Sequence, residues 1–482
     1  MLTEQLEAAF HPRSIAVAGA SGNPFSMGYR YVSHLISYGY QGQIYPVTPN
    51  WPEVLGHQAY PSLLDIPGPV DYVISCLSAS RVLDLIEHAH RKGVKVIHFF
   101  TGRFSETGSE DAARMEQEVL KKTREYGIRL IGPNSMGLFY PREGISFAYE
   151  FPKEPGRVGM FMQSGGASIE FIHYAALRGT RFSKVVSYGN GLDLNEADLL
   201  EYFAQDPETE VIAAYIEGVK DGRRFLRVLS ETVAKKPVII LKAGRSGAGA
   251  KAAASHTAAL AGSMQAWDTA MRQAGAVQAS TLEDMIDLVV AFDFLPPVHG
   301  TRVGVVGGGG GKSVLSADEW AEAGFDLAPF TEDIEEQVRK TLPELWWGWL
   351  RNPVDVSIFP EEAFGSNLAG TILKMMAQSP SFDLVISNVT VGGPFSSADL
   401  AAHVTIEVNG VIELSRETTT PLAVVLNTGA LGTDSFEDVR WKSIAEQKAR
   451  LVEAGVPIFT TASQAAQAIY RVYQYHQRKA SL

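Results

Sequence analysis

Residues 13–40 read RSIAVAGASGNPFSMGYRYVSHLISYGY. A run of small and β-branched apolar residues meets a turn of Gly, Ser, Asn and Pro. A segment of helical period follows and stops at Gly39. This is the strand–turn–helix opening of a doubly wound α/β domain. The same pattern returns at 156–179, GRVGMFMQSGGASIEFIHYAALRG, and at 301–325, TRVGVVGGGGGKSVLSADEWAEAGF. Each opening is followed by further apolar runs: VDYVISCLS, VKVIHFF and IRLIGPN; then FSKVVSYGN, EVIAAYIEG and KPVIILKAG; then FDLVISNVT, PLAVVLN and VPIFTT. Near-continuous apolar runs of this length fit parallel strands buried on both faces. The expected fold class is therefore α/β, with three doubly wound domains in tandem: a Rossmann-like domain and two flavodoxin-like domains. Pro- and Gly-rich stretches, YPREGISFAYEFPKEP and LPPVHG, place their bounds at 1–145, 146–297 and 298–482.

Composition narrows the function. A chain of 482 residues with 45% hydrophobic and 20% charged residues is that of an ordinary globular enzyme. A net charge of −12 argues against broad nucleic-acid binding. The lone cysteine, Cys76, forms neither an internal disulfide nor a Cys-based zinc site, and no metal site is assigned. The N-terminal MLTEQLEAAFHPRS has no apolar core of a secretory signal, and no run approaches the ~18 apolar residues of a membrane span. A cytoplasmic location is expected.

The glycine turns are requirements of the fold before they are binding sites. The first lacks the G-x-G-x-x-G spacing, since Gly19 is followed by Ser21. Strand two ends in Thr48-Pro49-Asn50 rather than a ribose-binding acid, so a nicotinamide dehydrogenase is disfavoured. The third turn, Gly307 to Gly311 before Lys312-Ser313, resembles a phosphate-binding P-loop, but Val306 stands where that motif needs its first glycine. Two readings stand for it: a structural turn, or a weak anion contact through Lys312.

Three stretches carry chemistry. AGRSGAGAKAAASHTAALAGS, from Ala243, surrounds His256 with small residues after a predicted strand. A neutral imidazole left uncrowded there is a nucleophile. Glu217 ends another strand, where a carboxylate either orients that imidazole or sits solvated. Ser164, Gly165 and Gly166 open a helix and form a candidate anion nest.

IGPNSMG (131–137), FSKVVSYGN (182–190), EADLLEYFAQDPETEVIAAYIEG (196–218), SHTAALAGS (255–263) and NPVDV (352–356) together resemble the α subunit of NDP-forming acyl-CoA synthetases. These are relatives of succinyl-CoA synthetase, and ADP-forming acetyl-CoA synthetases are a well-known branch. The resemblance runs in order over nearly the whole chain. It implies a Rossmann-like CoA-binding domain followed by two ligase domains, the first of which carries a phosphohistidine. It implies interconversion of acyl-CoA, phosphate and ADP with acid, CoA and ATP, through an acyl phosphate. Carried over, His256 takes the phosphoryl group and Glu217 steadies it. Gly19, Ser21, Met27 and Gly28 would lie near the CoA phosphates, with Pro49, Ser78 and Ala79 nearby. Asn134 with Ser164, Gly165 and Gly166 would line the acyl and phosphate site. ATP or ADP with Mg would sit on a separate ATP-grasp β subunit, in a heterotetramer. A non-catalytic CoA- or acyl-CoA-binding regulatory protein of the same superfamily is the alternative.

The chain also departs from the family pattern. Ala258 stands where Gly is frequent and Ser135 where Cys is frequent. HFFTGRFSETG (98–108) replaces a smaller S-A-G-F pattern, and His98, Phe99, Phe100 and Arg103 are expected to reshape the CoA or acyl end. The cluster Trp346, Trp347 and Trp349 precedes NPVDV; core, interface and substrate wall are all open to it.

Overall fold

A computed structural model describes residues 2–249, 251, 263–341, 350–358, 367–389, 391, 396–426 and 438–481. His256, Ala258, Trp346, Trp347 and Trp349 lie outside the described residues. The chain divides into two compact units, 1–285 and 286–482.

The first unit holds two sheets. Helix α1 (Leu2–Phe10) precedes β1 (Ser14–Ala18), α2 (Met27–Tyr38), β2 (Gln43–Val47) and a small hairpin, β3 (Glu53–Val54) with β4 (His57–Gln58). Then come β5 (Tyr72–Ser75), α3 (Val82–Lys92), β6 (Val96–Phe99), α4 (Glu110–Glu125) and β7 (Arg129–Ile131). The parallel order β2-β1-β5-β6-β7 is a common doubly wound arrangement, with its switch point between β1 and β5. All five residues of β1 are buried, as a central strand covered on both faces requires. Helix α2 is started by Ser26, whose hydroxyl accepts from Tyr29 N, and ended by Gly39 in the left-handed region at φ 79°. Gly28 sits so tightly on the end of β1 that a Cβ there would lie 2.0 Å from the Gly19 carbonyl oxygen.

The second sheet is built from β8 (Gly137–Phe139), β9 (Pro155–Met162), β10 (Phe182–Ser187), β11 (Val211–Ile216), β12 (Val238–Lys242) and β13 (Val277–Ala279). Its order is β13-β12-β11-β9-β10-β8. All neighbours are parallel except β8, which pairs antiparallel with β10. Helices α5 (Gly165–Ala176), α6 (Glu196–Gln205), α7 (Gly222–Val233) and α8 (Met264–Ala274) complete the alternation, and α9 (Leu282–Phe294) runs across the boundary between the two units. The chain crosses from the first sheet to the second through residues 132–136. Leu192 N donates to Gly132 O at 3.0 Å, and Arg129 Nε pairs with Asp193 Oδ2 at 2.7 Å across the join.

A buried ion pair closes the bottom of this second sheet. Lys184 Nζ lies 2.6 Å from Asp206 Oδ1, beneath the rings of Phe10, Tyr140 and Tyr202.

The second unit has the four-stranded parallel sheet β14 (Val303–Gly307), β15 (Leu384–Val389), β16 (Leu422–Leu426) and β17 (Ile458–Phe459), in sequential order. Isolated parallel bridges Arg302–Asp326 and Val306–Val354 also reach β14. Its described helices are α10 (Gly310–Ala323), α11 (Glu332–Thr341), α12 (Leu368–Gln378), α13 (Ser397–Glu417), α14 (Val439–Glu453) and α15 (Ala462–Ala480). Val306, Ile372, Val385, Val404 and Val424 belong to its apolar core. The three sheets, parallel except for β8, match the α/β class expected from the glycine turns.

Candidate active site

In doubly wound sheets, ligands meet the protein beyond the carboxyl ends of the strands. In the second sheet, those ends carry the polar side chains read from the sequence. Strand β9 runs into Gln163 and Ser164. The Ser164 hydroxyl caps α5 by accepting from Ala167 N at 3.3 Å. The first N–H groups of α5, from Gly165 onward, have no partners within the helix and form an anion-seeking terminus. A side chain at Gly165 would strike Met136 Cγ at 2.6 Å, whereas Gly166 faces open space.

Glu217, at the end of β11, is only 5% exposed. This excludes the solvated strand end among the readings of its sequence position. Its backbone N–H and that of Gly218 both donate to Gln163 Oε1, the latter at 3.1 Å. Lys242 Nζ donates to the Glu217 carbonyl at 2.7 Å and also to the Ala243 carbonyl. Tyr215 OH donates to Glu217 Oε1 at 3.4 Å. Burial, reinforced by the Glu217 carboxylate, pushes the Tyr215 hydroxyl up to about 12. Burial lowers the Lys242 ammonium, and the nearby Glu217 charge partly offsets that. Gln163 and Lys242 escaped the sequence reading, because nothing in their spacing distinguishes them from strand-end polar residues.

Asn134 adopts the left-handed region at φ 56°. Its N–H donates to Thr101 O at 2.9 Å. Its loop touches α5 through Met136 against Gly165, and Met136 N donates to Ser187 Oγ at 3.2 Å. Glu106 ties the neighbouring loops together, accepting from Arg103 N and from Asn190 Nδ2 at 2.9 Å. Ser135 is buried and donates to Phe99 O at 3.3 Å, a supporting role for its hydroxyl. The expectation that His98 to Arg103 reshape the ligand end is corrected in part. His98 and Phe99 are core residues at 0% exposure, because β6 is a central strand; Arg103 is exposed.

The first sheet has its own cleft of about 310 Å3 beyond β1, β2 and β5. Gly19, Ser21 and Pro49 line it, as do Trp51, Arg81, Asp84 and His88, which the sequence reading passed over. Leu77 lines it too, and Ser78 and Ala79 follow directly without joining the lining. Met27 and Gly28 stand behind Gly19, where they bring α2 against the turn.

The third glycine turn is shaped by packing. Gly307 and Gly308 have φ of 114° and 85°. A Cβ on Gly307 would lie 2.1 Å from the Asn388 carbonyl oxygen. Asp355 of NPVDV brings a carboxylate oxygen to 3.0 Å from where a Gly310 Cβ would stand. The N-terminus of α10 therefore already has an anion of the chain's own beside it. Among the described residues, no His, Cys, Asp or Glu side chains gather as a metal-ligand cluster.

Comparison with known proteins adds to this geometry. The family described as "CoA binding domain" matches residues 13–141, and that described as "Succinyl-CoA ligase like flavodoxin domain" matches residues 155–292. The α subunit of ADP-forming acetate–CoA ligase I from Pyrococcus furiosus is 34% identical over 98% of both chains. The α subunit of isoenzyme II from the same organism is 35% identical over 97% of both. Among solved structures, the dinucleotide-forming acetyl-coenzyme A synthetase 1 of Ca. Korarchaeum cryptofilum, in complex with phosphate and ADP, aligns with a TM-score of 0.82. It is 30% identical and covers 98% of this chain and 97% of its own.

Proposed function

The chain belongs to the family of ADP-forming acetate–CoA ligase α subunits, and from that premise we propose how its residues carry the reaction. It is an acid–thiol ligase that uses CoA and ADP or ATP. It interconverts acyl-CoA, ADP and phosphate with the free acid, CoA and ATP.

In the direction of ATP formation, CoA lies in the first-sheet cleft, its phosphates near Gly19 and Ser21. Phosphate rests against the α5 terminus, held by the N–H groups at Gly165 and Gly166, with Asn134 nearby. A phosphate oxygen attacks the thioester carbon, the C–S bond breaks, and CoA leaves as the thiolate. The imidazole of His256 then attacks phosphorus in the acyl phosphate and releases the carboxylate. Glu217 orients the ring and balances the charge it gains as phosphohistidine. The phosphoryl group passes to ADP on an ATP-grasp β subunit, which supplies the Mg-bound nucleotide, in a heterotetramer. A cytoplasmic location agrees with the lone cysteine; no described helix is long and apolar enough to cross a membrane.

The observation that carries this reading is the support built around Glu217. A carboxylate is costly to bury, yet Gln163, Lys242 and Tyr215 all hold this one or its backbone in place at the strand ends. A CoA-binding regulator would need none of it. The test is ATP formation by the chain co-expressed with an ATP-grasp partner, across a panel of acyl-CoA esters with phosphate and ADP. Activity that His256→Ala and Glu217→Ala abolish while CoA affinity persists supports the synthetase. A stable, CoA-binding complex inactive with every ester favours the regulatory reading.

A further inference from the structure

Among the described residues, four other than glycine have positive φ: Leu55, Arg103, Asn134 and Glu150. Two of them, Arg103 at φ 72° and Asn134 at φ 56°, meet in one place. Asn134 N donates to Thr101 O at 2.9 Å, and a Cβ on Gly102 would stand 3.2 Å from Asn134 Oδ1. Asparagine visits the left-handed region readily, whereas arginine is strained there. Such strain gathers at ligand and active sites. Glu106 holds the turn in place, its carboxylate accepting from Arg103 N and from Asn190 Nδ2.

The fold asks nothing of the Arg103 side chain. It is exposed, and its guanidinium has no hydrogen bond or ion pair among the described residues. Glycine would occupy the same turn without strain. What arginine adds is a rigid, always charged fork that matches a carboxylate or a phosphate. In the proposed reaction, phosphate already has the main-chain N–H groups at Gly165 and Gly166. The anion left for Arg103 is one that the acyl group itself brings.

We propose that Arg103 is a specificity-determining residue that selects acyl groups carrying a second carboxylate, remote from the thioester. Its guanidinium binds that carboxylate through two parallel N–H···O bonds, while Asn134 and the α5 terminus hold the reacting end. The proposal names the substrate class of the synthetase reading and rests on that reading.

ATP formation from glutaryl-CoA and from valeryl-CoA tests it. The two acyl chains have the same length, with and without the second carboxylate. The chain is co-expressed with an ATP-grasp partner and supplied with phosphate and ADP. The wild type favours glutaryl-CoA in kcat/KM by about 10- to 100-fold, as hydrogen bonds to a charged group allow. Arg103→Gly loses that preference, while its kcat/KM for valeryl-CoA and its KM for phosphate stay within about twofold of wild type. Its melting temperature does not fall, because glycine suits the turn. Equal wild-type use of the two esters, or an Arg103→Gly loss shared by both, overturns the proposal and leaves the synthetase reading intact. So does a raised KM for phosphate with the ester preference unchanged, which assigns the guanidinium to phosphate. A stable, CoA-binding complex that forms ATP from no ester removes the synthetase reading itself, and the proposal with it.

Discussion

Replacing Lys184 by Met removes the cation from the second sheet's buried pair and leaves Asp206 behind. Lys184 is 2% and Asp206 4% exposed, so water does not replace the lost partner. The carboxylate keeps two neutral donors, Thr209 Oγ1 at 2.6 Å and Glu208 N at 3.4 Å. The ammonium also gives up its place 5.1–5.7 Å from three aromatic centroids. Breaking a buried pair on one side costs ~3–5 kcal/mol. At roughly 2–4 °C per kcal/mol for a body of this size, the melting temperature falls by about 6–20 °C. Lys184→Met with Asp206→Asn removes both charges and recovers most of the loss, because no uncompensated carboxylate remains. Lys184 is near the start of β10 and Asp206 precedes β11, at the end of the sheet opposite the site. Turnover per folded molecule is therefore unchanged. Differential scanning calorimetry of the wild type, both single variants and the double variant reads the cycle. A single-variant loss below about 1 kcal/mol, or a double-variant loss equal to the sum of the singles, would refute the reasoning.

Gln163→Leu strips the acceptor from the buried N–H groups of Glu217 and Gly218; kcat should fall at least about tenfold with CoA affinity unchanged, alongside ~2–4 kcal/mol of lost stability. Equal kcat would show that Glu217 needs no such support. Burial, helped for His34 by Arg30, lowers both His34 and His98 to about 4. A base depressed below its unfolded value of ~6.5 adds nothing to proton uptake in the fold, so stability is full above that pH. It falls as the pH drops from ~6.5 to 4, by about 3 kcal/mol per ring. His34→Leu flattens part of that slope in pH-dependent melts, and an unchanged slope would contradict the assignment. Lys312→Ala leaves both CoA binding and ATP formation intact, because Asp355 already faces the α10 terminus; loss of nucleotide use would revive the P-loop reading.

The βα openings were legible because strand, glycine turn and helix are local in sequence. The strand-end positions of Glu217 and Ser164 were legible too, because an apolar run there gives way to small or charged residues. What escaped depends on contacts between distant segments. The three residues of β8 read as a continuation of the first domain, yet their pairing with β10 attaches them to the second sheet. FSKVVSYGN and the D-P-E-T segment carried much of the family resemblance. Their Lys184 and Asp206 prove to hold the fold together rather than the ligand, and only the folded chain brings the two charges into contact. Gln163 is an unremarkable polar residue until β9 and β11 align in the sheet. Trp51 lies far in sequence from Arg81 and His88 at α3, and no single short window of sequence contains their cleft.

The central claim is that a phosphoryl group passes through His256, held by Glu217. Intact mass at alkaline pH, after incubation of the partnered chain with phosphate and a reactive acyl-CoA, tests it most directly. The account predicts one acid-labile phosphate on the wild type, none on His256→Ala, and a much reduced level on Glu217→Ala. Phosphate retained by His256→Ala, or none on a wild type that is forming ATP, would contradict it.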